Sequence, residues 1–457
     1  MKQLFDVAVV GGGFAGIYSA WRLARSGKRV ALVEAADFIG GNLKSREWEG
    51  YWLDNGTHNF DLRTKIGEDF YTDILGDDIL IFEDQQWACT TGSSWTEGFE
   101  MPDLSAHDPG LCERALSELA AISRTKPLGK GFAGYIDYYR QNYGDTLTNA
   151  LIPMMKKYTG SDPHEFAVEA RTALGMFSRP KLGSDDEMIN LKETGSFWDD
   201  RLGVSLMSGD DRFSGKSVNK RFAYPKRNGL NGFCLSAHKR LIDLGVEIFL
   251  SSPVTDIKHR NGGLTVTAGE NSISCGQLFW SLPDIVLVKV LGIDVDLMKS
   301  AIPVGTCFFG FEVHEKDILG PDYLQDYSTD RLPFRYNRQG VYSNQTRDDG
   351  STLVVAEVPC HPKDISTLLT DANKAAAWSA MLDTGFLRKN ARATKAVSFG
   401  HPVAYTMPKI GWKSDYETAK HKINEFSDLI VGIEFGYRGR FSFMTFYDQT
   451  LDLKLAS

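Results

Sequence analysis

Gly11-Gly12-Gly13-Phe14-Ala15-Gly16 is a GxGxxG pattern, and Glu34 follows 18 residues after its last glycine. These residue types at this spacing suit the holding of a dinucleotide. Gly11 permits a tight turn, Gly13 lets the backbone approach a pyrophosphate, and Gly16 lets a helix pack closely on a strand. A helix starting there would turn its unpaired N–H groups and positive dipole end toward the phosphates. A carboxylate at Glu34 would accept a hydrogen bond from a ribose 2′-hydroxyl and repel a 2′-phosphate, which disfavours NADP. The alternative is a glycine-rich turn that holds nothing, and the flanking elements decide between the two.

Those elements are of the required kind. Residues 5–10 form a short apolar, β-branched run that predicts a buried parallel strand. Residues 17–26 predict a helix with Ile17, Ala20, Trp21 and Ala24 on one face, and Gly27 suits the position just past its end. Residues 29–33 predict a second strand that delivers Glu34. No second GxGxxG occurs, so no separate NAD(P)H-binding domain is expected.

Composition narrows the function classes. Of 457 residues, 51 are Lys or Arg and 59 are Asp or Glu, a net charge of −8 that argues against nucleic acid or an anionic membrane surface as partner. A hydrophobic content of 42% is too high for a disordered chain. No window has the roughly 18 apolar residues of a transmembrane helix. The apolar N-terminus imitates a signal peptide, but Asp6, the glycines and the lack of a cleavage pattern make it part of the fold. The six cysteines are dispersed and never form CxxC, which fits free thiols in a reducing cytoplasm. No HExxH or Ser-His-Asp pattern supports a hydrolase, and no metal site is expected.

After Glu34-Ala35 the chain runs Gly40-Gly41-Asn42 and then Gly56-Thr57-His58-Asn59-Phe60. Here the sequence resembles the FAD-dependent amine oxidase, protoporphyrinogen oxidase and UDP-galactopyranose mutase superfamily. The glycine pair followed by Asn matches that group's segment beside the flavin pyrophosphate, in its mutase-like version. Thr57 stands where mutases carry Pro, and His58 carries over as a residue near the flavin ring. The residue matching Val254 lies on the adenine through main-chain contacts. Phe279-Trp280-Ser281-Leu282-Pro283 is similar to the strand end where the chain leaves the cofactor domain. Residues 436–444 resemble the C-terminal flavin motif, with Gly436, Gly439 and Arg440 as cofactor contacts and Tyr437 where Arg is usual; whether Arg438 or Arg440 meets the cofactor stays open.

The resemblance implies FAD as cofactor and an α/β fold: a Rossmann-like FAD-binding domain of GR2 type (residues 1–65, 215–300 and 395–457) interleaved with an α+β substrate-binding or cap domain (66–214 and 301–394). Residues 117–170 read as mainly helical, and their aromatic stripe is more often core than substrate box. Arg335 is a candidate for an anionic substrate group, since guanidinium matches phosphate or carboxylate bidentately; a structural salt bridge serves it equally well. Tyr405 is a candidate for the wall of the flavin cavity. Three functions follow: an FAD-dependent oxidoreductase moving a hydride from a small molecule to flavin N5, a redox-neutral mutase acting on a nucleotide sugar, or a flavin-binding protein without turnover.

Overall fold

The computed structural model describes residues 4–56, 59–62, 64–83, 85–92, 94–105, 108–123, 131–205, 221–260, 262–432 and 440–447. The chain forms two units: Met1–Ile81 with Arg221–Lys299 and Lys413–Ser457, and Phe82–Lys220 with Ser300–Trp412.

The main sheet of the first unit has seven strands. Its strands run in the order Glu247–Phe249, Val30–Val33, Leu4–Val10, Asn271–Trp280, Gly263–Ala268, Val254–Arg260, and Ile430–Gly432 also pairs with Asn271–Trp280. Leu4–Val10 lies parallel to both neighbours. Val7, Ala8, Val9 and Val10 are buried on both sheet faces, which explains why the run is continuously apolar rather than alternating. The helix is Phe14–Arg25, three residues longer at its start than the apolar stripe predicts, because Gly13 is its N-cap. Gly27 at φ +84° follows its end. A second helix of this unit, Gly229–Asp243, also begins at a glycine. Gly232 belongs to that first turn because a Cβ there would stand 2.1 Å from the Arg227 carbonyl oxygen.

The second unit has a seven-stranded sheet in the order Lys395–Pro408, Ala301–His314, Ser351–Cys360, Arg335–Asn337, Tyr323–Asp326, Trp87–Thr90, Thr96–Glu97. Its alternation sorts side chains onto two chemically different faces. Cys307, Phe309, Phe311 and Val313 join Val354, Ala356, Val358 and Cys360 in an apolar core shared with Ala377, Ala380 and Met381 of the helix Asp371–Asp383. The other face carries Phe308 opposite Glu357 and Phe399, Arg335 opposite Glu357 and Gln325, and Asn337 opposite Tyr323.

The helices Pro109–Ser123, Tyr135–Tyr143 and Asp145–Thr159 share another core. The aromatic stripe belongs to that core: Tyr135, Tyr139 and Tyr143 are buried, and the last two donate to the Phe177 and Ser178 carbonyls.

The division differs from the sequence expectation in two places. Lys395–Pro408, expected with the cofactor-binding segments, pairs along its length with Ala301–His314 and belongs to the second unit. Lys65–Leu75, expected in the cap, belongs to the first, where Phe70 and Tyr71 pack on Phe14, Tyr18 and Phe233.

Candidate functional site

The glycine loop of the first unit is shaped by what each position excludes. Gly11 sits at φ +101°, and a Cβ there would lie 2.5 Å from Ser281 Oγ. A Cβ at Gly16 would lie 1.8 Å from the Gly11 carbonyl oxygen, so the helix can touch the loop only with glycine at 16. Gly13 is different. Its backbone is ordinary, and a Cβ would meet nothing closer than Gly41 Cα at 3.9 Å. The glycine at 13 therefore leaves an open approach to the backbone rather than relieving a clash. The Ile17 N–H reaches the Gly13 carbonyl, whereas no described residue accepts from the N–H groups of Phe14, Ala15 or Gly16. The helix also has no acidic residue in its first turn and no side-chain cap. Three donors at the positive end of a dipole, with no acceptor among the described residues, suit an anion such as a pyrophosphate.

Glu34 stands at the other end of this cradle. Its Oε2 accepts from the Gly12 N–H at 2.6 Å and its Oε1 from the Ala36 N–H at 2.8 Å. Two amides thus fix the carboxylate, and of its about four lone-pair sites two are left for hydroxyl donors. Ala35 is exposed beside it. The segment before Val254 is tied to the same place, since the Ser252 N–H donates to the Glu34 carbonyl and the Ser251 N–H to the Ala36 carbonyl. Val254 is half-buried next to that anchor. Gly40 and Gly41 close the cradle. The Gly40 N–H donates to the Gly12 carbonyl at 2.7 Å, Gly13 and Gly40 form a parallel bridge, and Gly41 Cα presses on Gly13 Cα so closely that a Cβ would leave only 3.0 Å. Asn42 is exposed at its rim.

Gly11, Gly13, Phe14, Ala15, Gly16, Glu34, Ala35, Gly40, Gly41, Asn42 and Val254 are therefore gathered within one unit. Thr57, His58, Gly436 and Gly439 lie outside the described residues, as does the side chain of Arg440. Arg440 opens the helix Arg440–Phe446, whose Phe443 ring packs on Phe14 and Tyr18 of the glycine-loop helix.

Two further residues support the cradle. Ser281 donates to the Val10 carbonyl at 2.7 Å and lies 3.1 Å from that of Gly11, pinning the turn. Asp54 is buried, accepts from the Tyr224 hydroxyl and from Ser45 Oγ, and so fixes the strand Tyr51–Asp54 that leads into the 56–60 segment. Their partners Val10 and Tyr224 lie 271 and 170 residues away, beyond the reach of a local pattern.

The second unit holds the other two candidates. Arg335 meets Glu357 bidentately, Nε to Oε1 at 3.0 Å and Nη2 to Oε2 at 2.5 Å, and Asn337 donates to the same Oε1 at 2.9 Å. Burial would weaken the charge on Arg335, but the Glu357 carboxylate outweighs it and holds the guanidinium protonated. Of the two readings open at Arg335, the described contacts are those of the salt bridge. Tyr405 is half-buried and its hydroxyl lies 3.5 Å from the Tyr158 carbonyl.

A third cluster was not anticipated. Lys157 donates to the Ser328 carbonyl at 2.6 Å and stands 3.7 Å from Asp326, which is fully buried and also accepts from Arg331 and Tyr336. Burial lowers the Lys157 pKa to about 8, with Asp326 opposing only part of the effect. Asp326 lies 169 residues from Lys157, far beyond any motif.

Comparison with known proteins agrees with this geometry. Residues 9–73 match the model of the NAD(P)-binding Rossmann-like domain family. Thiamine thiazole synthase of Desulfosudis oleivorans is 54% identical over 50 residues, 11% of this chain and 18% of that protein, so the chain matches under a fifth of its length. Solved structures match throughout. A reduced UDP-galactopyranose mutase superposes with TM-score 0.71 at 17% identity, over 100% of this chain and 96% of the other. Putrescine oxidase bound to putrescine gives 0.64 at 16%, over 100% of both. The chain has the amine-oxidase-type fold that its motifs resemble.

Proposed function

We propose that this chain is an FAD-dependent oxidoreductase acting on a small molecule. The observation that carries the reading is the cradle at Gly13. A backbone left open where alanine would fit without strain, three helix N–H groups without acceptors among the described residues, and a carboxylate held by two amides make complementary ends for a pyrophosphate and a ribose. The residues present fit the group. Phe14, Ala15 and Gly16 would bind phosphate oxygens, Glu34 would take ribose hydroxyls, and Gly40-Gly41 would lie along the pyrophosphate. Bound FAD would supply a two-electron acceptor for a hydride from the substrate.

A polar patch of Gln325, Arg335, Asn337 and Glu357 on one face of the second unit's sheet supports a substrate role for that unit, because an interior built only for stability would be apolar there too, like the side holding Phe309 and Ala356. On the polar face Glu357 fixes the Arg335 guanidinium and Asn337 in one orientation, so that they can present hydrogen bonds without rearranging. Arg335 keeps Nη1 outside its bond pair to Glu357, and that is the atom through which an anionic group would be met. Tyr405 and Tyr158 contribute aromatic wall.

The second reading is a redox-neutral mutase acting on a nucleotide sugar, favoured by Gly41-Asn42 in the place of Gly-Arg. Anaerobic mixing separates the two. Flavin bleached by an amine or other C–H donor supports oxidation, and isomerisation of a UDP-sugar only after dithionite reduction supports the mutase. A protein that binds FAD but neither bleaches nor isomerises across such a screen would leave flavin binding without turnover.

A further inference from the structure

Cys307 and Cys360 are 53 residues apart in sequence and adjacent in space, with Sγ atoms 3.9 Å apart. They stand on the same apolar face of neighbouring antiparallel strands, diagonal to one another: Cys307 is opposite Val358 and Cys360 opposite Gly305. All six cysteines are free and buried, and among the described contacts only these two thiols meet. Two features mark the pair as more than core filling. Cys360 ends its strand, so its backbone is held by the ladder on one side only. And the one-turn helix Ile365–Leu368 packs on the core that holds both, with the Ile365 carbonyl 3.9 Å from Cys307 Sγ and Ser366 and Thr367 exposed, so a single turn of helix covers Cys307 on that side.

We propose that Cys307 and Cys360 are a redox pair, in which Cys360 is oxidised by hydrogen peroxide and Cys307 resolves it to an intrachain disulfide. The Cys360 thiolate attacks the peroxide O–O bond, becoming a sulfenic acid and releasing water. The Cys307 sulfur then attacks the sulfenic sulfur, forming the S–S bond and expelling its oxygen as a second water. Two thiols and one peroxide give one disulfide and two waters, the two electrons passing from sulfur to oxygen. The roles are unequal because Cys360 ends its strand and keeps 3% of its surface exposed, whereas Cys307 lies within its strand and is fully buried. Closing the sulfurs from 3.9 Å to the bonded distance of about 2.05 Å falls to the free end at Cys360.

That movement has a neighbour. Gly160, the left-handed cap of the helix Asp145–Thr159, approaches Cys360 so closely that a Cβ on it would lie 2.3 Å from Cys360 Cα. Oxidation is therefore felt at the end of the helix that carries Lys157 and Tyr158. The chemistry needs no flavin, and its failure would say nothing about FAD.

The test treats the purified full-length protein with hydrogen peroxide, alkylates remaining thiols under denaturing conditions and maps the peptides. The expected result is a Cys307–Cys360 cross-linked peptide, about 2 Da lighter than its reduced parts, with the other four cysteines alkylated. In Cys307→Ser, dimedone should label Cys360; in Cys360→Ser it should not label Cys307. Hydrogen exchange in residues 155–160 should quicken on oxidation of the wild type. Full alkylation of both thiols at peroxide levels that oxidise free cysteine, or dimedone labelling of Cys307 in place of Cys360, would overturn the proposal. Unchanged exchange at 155–160 beside a formed disulfide would overturn its coupling to Gly160. The peptide map uses only the wild type, so a variant that fails to fold leaves the test intact.

Discussion

Replacing Arg335 with Ala separates a residue that holds the fold from one that holds the substrate. Glu357 is buried at 4% exposure, and two of its hydrogen bonds come from Arg335. Removing the guanidinium leaves the carboxylate with the Asn337 amide at 2.9 Å and no cation from that bridge. Breaking a buried pair from one side costs about 3–5 kcal/mol, chiefly through the uncompensated charge left behind. For a body of this size each kcal/mol moves the melting temperature by roughly 2–4 °C, so Arg335→Ala should melt on the order of 10 °C lower. Glu357→Gln in the same chain removes the stranded charge and should restore more than half of that loss. The assay is thermal unfolding of wild type, both single variants and the double variant, with substrate affinity measured on any that stay folded. An Arg335→Ala protein that melts like the wild type would refute the reasoning, since the bidentate bridge would then be worth nothing. Normal melting with lost affinity for an anionic substrate would move Arg335 from support to direct binding.

Gly13→Ala should fold with less than about 1 kcal/mol of cost, because its φ of −74° is ordinary and no described atom lies within 3.9 Å of the new Cβ. The same variant should bind FAD at least about tenfold more weakly, which is about 1.4 kcal/mol. Equal FAD affinity by titration would show that the open side of Gly13 faces no cofactor. Gly16→Ala should fail even without cofactor, given 1.8 Å to the Gly11 oxygen. Lys157 gives a pH signature. Its folded pKa of about 8 lies below the ordinary 10.5, so between those values the unfolded chain keeps a proton that the native state has lost. Stability should therefore rise with pH from about 8 to 10.5, by roughly 3 kcal/mol in total, with the burial penalty fully present below that window and absent above it. Urea unfolding across that range should show the rise in the wild type and not in Lys157→Met; identical slopes would contradict it.

Local pattern carried the cofactor half of the molecule a long way. The run at Val7–Val10, the glycines and Glu34 lie within 34 residues, and strand, turn and helix there are each decided by near neighbours. The helix boundary shifted at Gly13, because glycine has no apolar side chain to join the stripe. The second unit was less legible for a physical reason. A two-residue period says that a strand has two faces but not which partner lies across from it. Arg335 reads as a free cation until Glu357 is placed opposite, and Lys157 reads as surface until Asp326 is brought beneath it. The dispersed cysteines suggested six unrelated thiols, whereas the register of two strands sets Cys307 beside Cys360. Lys395–Pro408 was assigned by its resemblance to a flavin-side segment, although its fourteen residues belong to the other sheet.

The most direct measurement is to release and identify whatever the purified protein carries. The protein should show the visible absorption of oxidised flavin, and acid should release FAD, about one per chain, with Gly13→Ala carrying much less. A colourless protein that takes up no FAD on incubation, or one whose released cofactor is FMN or a nicotinamide dinucleotide, would contradict the account.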